Sequence, residues 1–336
     1  MAVLFGTDPL FIEHDPGTHH PERPERLDAV LKGIELIQDK VEVVRFNPEP
    51  ASGVQMARVH GGDYLTTLRR FCLMGGGELD PDTQVSIHSW DAAILAAGAG
   101  IDAAKRLKKG QADSAFVAVR PPGHHAVSDS AMGFCLINNV AVLAAELVSW
   151  GEKVLIFDFD AHHGNGTQDA FYANPSVLYV STHQYPLFPG SGRVQEIGVG
   201  EGRGTTVNLP LPEGTTGPTM RYALESIAWP IIESFGPTWL LLSAGFDAHY
   251  KDPLTEMGLS SGDFYDLTTW ATSLVPKGRT VALLEGGYDL EALRDSTAAL
   301  ISALGGESYY PEAPGRVRPD RDLIDALAQL RTRALD

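Results

Sequence analysis

Four stretches of this 336-residue chain end an apolar run with residues able to do chemistry. "VLIFDFDAHHGNG" (154–166) carries Asp158, Asp160, His162 and His163 into a run of Val, Leu, Ile and Phe. "SAFVAVRPPGHHA" (114–126) ends in His124 and His125, "TWLLLSAGFDAH" (238–249) in Asp247, and "TVALLEGGYD" (280–289) in Tyr288. Carboxylates and imidazoles at the end of a core strand cost stability unless each is paired or bound.

In an extended strand, side chains at i and i+2 share a face. Asp158, Asp160 and His162 therefore point one way, and Phe157, Phe159 and Ala161 the other. One imidazole from His162 and two carboxylates, from Asp160 and Asp247, suit Zn²⁺ or Fe²⁺ in an open catalytic site. Such an ion lowers the pKa of water toward ~7 and polarises a carbonyl. His163 is out of phase with that face and is expected to support the loop. A hydrolase also needs a base for the water and an acid for the leaving amine, and His124 and His125 suit both tasks near neutral pH. The Tyr288 hydroxyl can donate to a developing oxyanion, a contribution of roughly 3–4 kcal/mol. A lone Asp-x-His, a lone His pair or a lone Gly-Gly-Tyr turn is weak. Their order, each after a core strand, carries the inference.

The elements that must position these groups read as alternating β and α. Apolar, β-rich runs recur as "AVLFG", "VEVVRF", "SAFVAV", "KVLIFDF", "SVLYVST", "TWLLLSAG" and "TVALLEGG", with helical stretches such as "SWDAAILAAGAGIDAAKRLKK" and "NNVAVLAAELVSW" between them. This pattern predicts an α/β fold with a mostly parallel central sheet flanked by helices. Ligands of such sheets bind beyond the carboxyl ends of the strands, where the four stretches converge. No linker divides the chain, so a single domain over 1–336 is expected. Its core spans about 10–305, and a Pro-rich tail leads to a last helix within 306–336.

Composition bounds the rest. Hydrophobic residues make up 43% and charged residues 21%, enough to bury a large core. A formal net charge of −17 argues against a nucleic-acid partner, while it would weakly attract a basic substrate such as a lysine side chain. Cys72 and Cys135 form no CxxC, and no stretch reaches the ~18 apolar residues of a membrane span. A cytoplasmic location without membrane association is expected.

The motifs together resemble the histone deacetylase superfamily, whose fold is shared with arginase. "HHPERPERL", "RPPGHHA", "GFCLINNVAV", "DFDAHHGNGTQ", "FPGSG", "SAGFDAH" and "EGGYD" follow the family order across about residues 10–305. The spellings "HPERPERL" and "EGGY", and Asn165, are closer to class II and bacterial histone deacetylase-like amidohydrolases than to class I. The resemblance implies that Asp160, His162 and Asp247 bind the metal. It makes His125 the main general base and acid, His124 its electrostatic partner, and Tyr288 the oxyanion donor. Asp158 would accept from His124, and Asn165, an Asp in class I, would pair with His125 and leave it less basic. It further implies a narrow tunnel with Phe134 and Phe188 on either side of an acyl-lysine stem, Gly133 beside it, and Leu254 and Asp82 at the rim. A structural monovalent cation, K⁺ or Na⁺, would be held by Asp158, Ser181 and carbonyls of Asp160, His162 and Thr182. A second such site would lie near Phe171 and Val177, and Arg26 would line an acetate channel.

The expected function is removal of an acetyl or acyl group from an amine, foremost an N-ε-acyl-lysine, by a zinc-dependent enzyme of bacterial type. The alternative within the superfamily is an acetylpolyamine amidohydrolase, whose selective members carry Glu where this chain has Leu254. A binuclear Mn²⁺ ureohydrolase fits poorly, because Gly164 and Gly245 stand where that chemistry needs Asp. An inactive acyl-binding protein is disfavoured by the intact His124, His125, Asp160, His162, Asp247 and Tyr288.

Overall fold

The computed structural model describes all 336 residues. In chain order the strands are β1 (Ala2–Gly6), β2 (Glu42–Phe46), β3 (Gly77–Asp80), β4 (Thr83–Val85), β5 (Ser114–Val117), β6 (Val154–Asp158), β7 (Val177–Gln184), β8 (Thr206–Leu211), β9 (Trp239–Ala244) and β10 (Thr280–Leu284). Eight of them form one sheet in the order β2-β1-β5-β10-β9-β6-β7-β8, and every pairing in it is parallel. β3 and β4 form a separate antiparallel hairpin.

β5, β6, β7, β9 and β10 are buried along their whole length, which is why they read as continuous apolar runs without alternation. Edge strand β2 is mostly exposed and carries Glu42 and Arg45. Opposite edge strand β8, "TVNLPL", is absent from the apolar runs because Asn208 and Pro210 interrupt it. An edge strand tolerates a proline, since one side of its backbone needs no ladder partner.

Helices flank the sheet. Ser89–Lys108 and Asn139–Ser149 pack against each other, as do Glu25–Glu35 and Leu290–Gly305. The Asn138 side chain caps Asn139–Ser149 by accepting from the Ala141 N–H, and Asp289 caps Leu290–Gly305 through Ala292. The stretch from Gly217 to Phe235 is helical throughout but loosens to a π turn over Leu224–Ala228. Pro230 lacks the N–H that an α-helical bond to Ser226 would need. After Gly306 the chain runs without regular structure to a last helix, Arg321–Leu335. Buried Arg331 of that helix donates to the Gly204 and Thr206 carbonyls beside β8.

One register row fixes the height of everything at the carboxyl rim. Val117, Leu283, Ser243, Asp158 and Ser181 stand side by side across β5, β10, β9, β6 and β7. The four chemistry-bearing stretches leave from β5, β10, β9 and β6, which are consecutive neighbours in the sheet.

Candidate active site

β6 ends at Asp158, so Asp160 and His162 lie in irregular chain past the strand. The two-residue alternation expected to align Asp158 with Asp160 and His162 therefore does not extend that far. Asp158 turns toward His124 and Tyr179, while Asp160 and His162 turn toward Asp247. The irregular segment is held by buried carboxylates, one of its own and one from the chain after β9. The Ala161 N–H donates to Asp247 Oδ1 at 2.7 Å and the His162 N–H to Asp160 Oδ1 at 2.9 Å. From the turn after β10, the Gly286 N–H donates to Asp160 Oδ2 at 2.8 Å.

His162 Nδ1 sits 2.9 Å from Asp247 Oδ2 and 3.2 Å from Asp160 Oδ1. One donor atom from each of the three residues falls within 4.8 Å of the others. This nitrogen-plus-two-oxygen set fits a divalent ion of the Zn²⁺ or Fe²⁺ type. Burial, and then the neighbouring Asp160, push Asp247 up to about 7. Burial opposes charge on His162, but its bonds to Asp160 and Asp247 overcome that and raise it to about 10. Two buried carboxylates this close call for a cation between them. Backbone access is provided by glycine: a Cβ at Gly245 would strike the Asp160 carboxylate, and one at Gly286 those of Asp247 and Asp160.

The histidine pair lies beside this cluster, with ring centroids 4.0 Å apart. His124 Nδ1 is 3.1 Å from Asp158 Oδ2, which also accepts from the Tyr179 hydroxyl at 3.0 Å. Burial disfavours charge on His124, but Asp158 and Asp160 outweigh it and hold the imidazole well above its ordinary pKa. His125 Nδ1 faces Asn165 Oδ1 at 2.8 Å. Burial, His124 and His162 all press its pKa well below the ordinary value. Adjacent imidazoles are thereby pushed apart in basicity, one toward the charged form and one toward the neutral form.

A cavity of about 230 Å³ opens above them, lined by Asp82, His125, Gly133, Phe134, His162, Leu187, Phe188, Leu254 and Tyr288. The five residues expected at the tunnel are all in this lining, and Leu187 joins them. Gly133 has φ +54°, and a Cβ there would lie 2.6 Å from His125 Cδ2 and 2.9 Å from Phe188 Cε1. Phe134 also has a left-handed φ, +68°, a conformation costing on the order of 1–3 kcal/mol for such a residue. It is held there by its N–H donating to Thr83 Oγ1 at 3.1 Å and by the His20 ring edge-on at 4.5 Å. The β3–β4 hairpin thus supports one wall of the cavity.

Tyr288 is aimed by its turn. Its N–H donates to Asp252 Oδ2 at 2.7 Å, and Asp252 Oδ1 accepts from the Leu254 N–H at 3.0 Å, tying the turn to the rim. Arg26 is fully buried, 5.0 Å from the Tyr288 ring centroid, and donates to the Gly287 and Glu285 carbonyls and to Glu22. Glu22 also binds Arg120 of "RPPG", and the two arginines overcome its burial to hold it at about 2. At Arg26 the observed arrangement is this clamp on the Tyr288 turn.

His163 faces away from the three-donor cluster and bonds Ser191 Oγ and Gln168 Oε1. Ser181 pairs with Asp158 in the β6–β7 ladder, its hydroxyl bonded to His183 Nδ1, and the neighbouring Thr182 hydroxyl is buried without a partner. Phe171 ends the helix Asn165–Phe171 and Val177 begins β7. Sequence reasoning missed Glu285, Asp252, Glu22 and Leu187. The first of these had a signal: a carboxylate directly after the buried run "TVALL" needs partners as much as Asp158 does.

Residues 20–304 match the histone deacetylase domain family. A probable deacetylase of Archaeoglobus fulgidus is 38% identical over 324 residues, covering 92% of this chain and 90% of that protein. A histone deacetylase-like amidohydrolase of Pseudomonas aeruginosa is 35% identical over 293 residues, covering 85% and 77%. The crystal structure of the HDA15 HD domain superposes with a TM-score of 0.89 at 32% identity, covering 99% of this chain and 97% of that one.

Proposed function

The chain belongs to the histone deacetylase family, and from that premise we propose that it is a metal-dependent deacylase acting on N-ε-acyl-lysine or a similar linear acylated amine. The observation that carries this reading is one largely apolar cavity lined by His125, His162 and Tyr288, with Asp160 and Asp247 against His162 and His124 against His125 behind that lining. A divalent ion held by Asp160, His162 and Asp247 would supply Lewis acidity toward the acyl carbonyl and the attacking water.

The chain's own residues do the rest. Phe134 and Phe188 hold the aliphatic stem of the substrate, with Gly133 leaving it room. His125, kept neutral by burial and by a neutral partner in Asn165, takes a proton from water as its oxygen bonds to the acyl carbon. The Tyr288 hydroxyl donates to the oxygen that gains charge. The C–N bond then breaks, and His125 returns the proton to the leaving nitrogen. The products are an amine and a carboxylate. His124, paired with Asp158, stays charged beside the reaction and favours the anionic intermediate stage.

Leu254 and Leu187 in the cavity lining support an acyl-lysine over a second cationic group, and Asp82, also in the lining, would hold the amide backbone of a peptide. A panel of acetyl-lysine peptides against acetylputrescine and acetylspermidine tests the substrate class. Preference for the peptides supports the reading, and a large preference for the polyamines overturns it. Structural K⁺ or Na⁺ near Asp158, Ser181 and Thr182, and a second ion near Phe171 and Val177, remain part of the proposal.

A further inference from the structure

We propose that Glu285 is a positioning residue for the tandem histidines, acting as a fixed hydrogen-bond acceptor that sets the backbone of Gly123 and His124. The proposal rests on the deacylase reading for its kinetic effect. Glu285 follows β10 immediately and has no solvent exposure. Its Oε2 accepts from the Gly123 N–H at 2.7 Å and the His124 N–H at 3.2 Å, and its Oε1 accepts from Ser243 Oγ at 3.1 Å. One carboxylate thus bridges β10, the end of β9 and the loop after β5.

The loop is closed from its other side as well. A Cβ at Gly123 would collide with the Asn139 backbone nitrogen, and Asn138 Nδ2 donates to the His124 and Ala126 carbonyls. With these contacts on its other side, the position of the loop depends on the length of the Glu285 side chain, and with it the position of the two imidazoles. Asp158 and Asn165 orient the rings, whereas Glu285 places the backbone that carries them. All three donors to Glu285 are uncharged, so its hydrogen bonds need an acceptor oxygen at the right distance, while its charge adds only to the larger effect of Asp158 and Asp160 on His124. A misplacement near 1 Å in a catalytic group is enough to cost about 10²-fold in rate.

Glutamine keeps the length and one acceptor oxygen for the two N–H groups, and its amide can donate to Ser243. Aspartate keeps the charge but falls one methylene short. The experiment compares wild type with E285Q, E285D and E285A, measuring metal content, kcat and KM on an acetyl-lysine peptide, and hydrogen exchange of peptide 118–126. We expect E285Q to stay within about threefold of wild type in kcat. E285D and E285A should lose about tenfold or more, with KM within about twofold and metal content unchanged. Exchange in 118–126 should quicken in the same two variants and not in E285Q. If E285A does not fold, E285D decides. Wild-type kcat in E285D, or a fall in E285Q as deep as that in E285D, overturns the proposal. An inactive wild type overturns the deacylase reading instead, and the exchange pattern still tests Glu285.

Discussion

The Nδ1 of His125 donates to the side-chain oxygen of Asn165 at 2.8 Å, while the adjacent His124 faces the carboxylate of Asp158 at 3.1 Å. A neutral acceptor holds the ring without favouring its protonation, and burial then presses the His125 pKa down. Asn165→Asp places a carboxylate at the same spot and stabilises the imidazolium. In the proposed mechanism the base form of His125 is the active one, so the acidic limb of the kcat/KM profile should move to higher pH by roughly one unit or more. A limb that stays in place contradicts the role given to the His125–Asn165 pair.

Tyr288→Phe removes only the oxygen of a side chain that lines the cavity, and His125→Ala removes the proposed base. Each should slow amide hydrolysis by at least ~100-fold with the fold intact by circular dichroism. Retention of rate in both would remove these residues from the chemistry.

Metal content gives a separate test. A Cβ at Gly245 meets the Asp160 carboxylate, so Gly245→Ala should expel or weaken the ion although no ligand is changed. Elemental analysis should find one divalent ion per wild-type chain and far less in Gly245→Ala and Asp247→Asn. Two catalytic ions per chain would revive the binuclear ureohydrolase alternative.

Stability toward acid should depend on His60. Its Nδ1–H donates to the Val127 carbonyl at 2.9 Å and its Nε2 accepts from the Asn138 N–H at 2.9 Å, so the neutral ring uses both nitrogens. Burial lowers its pKa from 6.5 to about 4. The unfolded chain therefore binds this proton first, and the stability contributed by neutral His60 is complete above pH 6.5 and declines as pH falls from 6.5 to 4. Thermal unfolding scans should show Tm falling through that window. His60→Gln, which cannot take up a proton there, should flatten part of the slope, and an unchanged slope would refute this source.

Much of the site was legible because its residues end core strands. His124, His125, Asp158, Asp247 and Tyr288 each follow an apolar run, and β5, β10, β9 and β6 are neighbours. The tunnel side chains came from the family resemblance, since neither Gly133 nor Phe188 stands out by periodicity. What stayed hidden depends on contacts between distant segments. Glu22 joins Arg26 to Arg120, and Asp252 caps the Tyr288 turn across 36 residues, and no local pattern announces either. β8 was hidden for another reason: its place at the edge permits the Asn and Pro that mask a strand.

The most direct test is hydrolysis of an acetyl-lysine peptide by the protein stripped of metal and then reloaded with a single equivalent of Zn²⁺ or Fe²⁺. The stripped protein should release negligible acetate, and reloading should restore multiple-turnover release. Undiminished hydrolysis by the metal-free protein, or none by protein shown to hold one ion at Asp160, His162 and Asp247, would contradict metal-dependent deacylation.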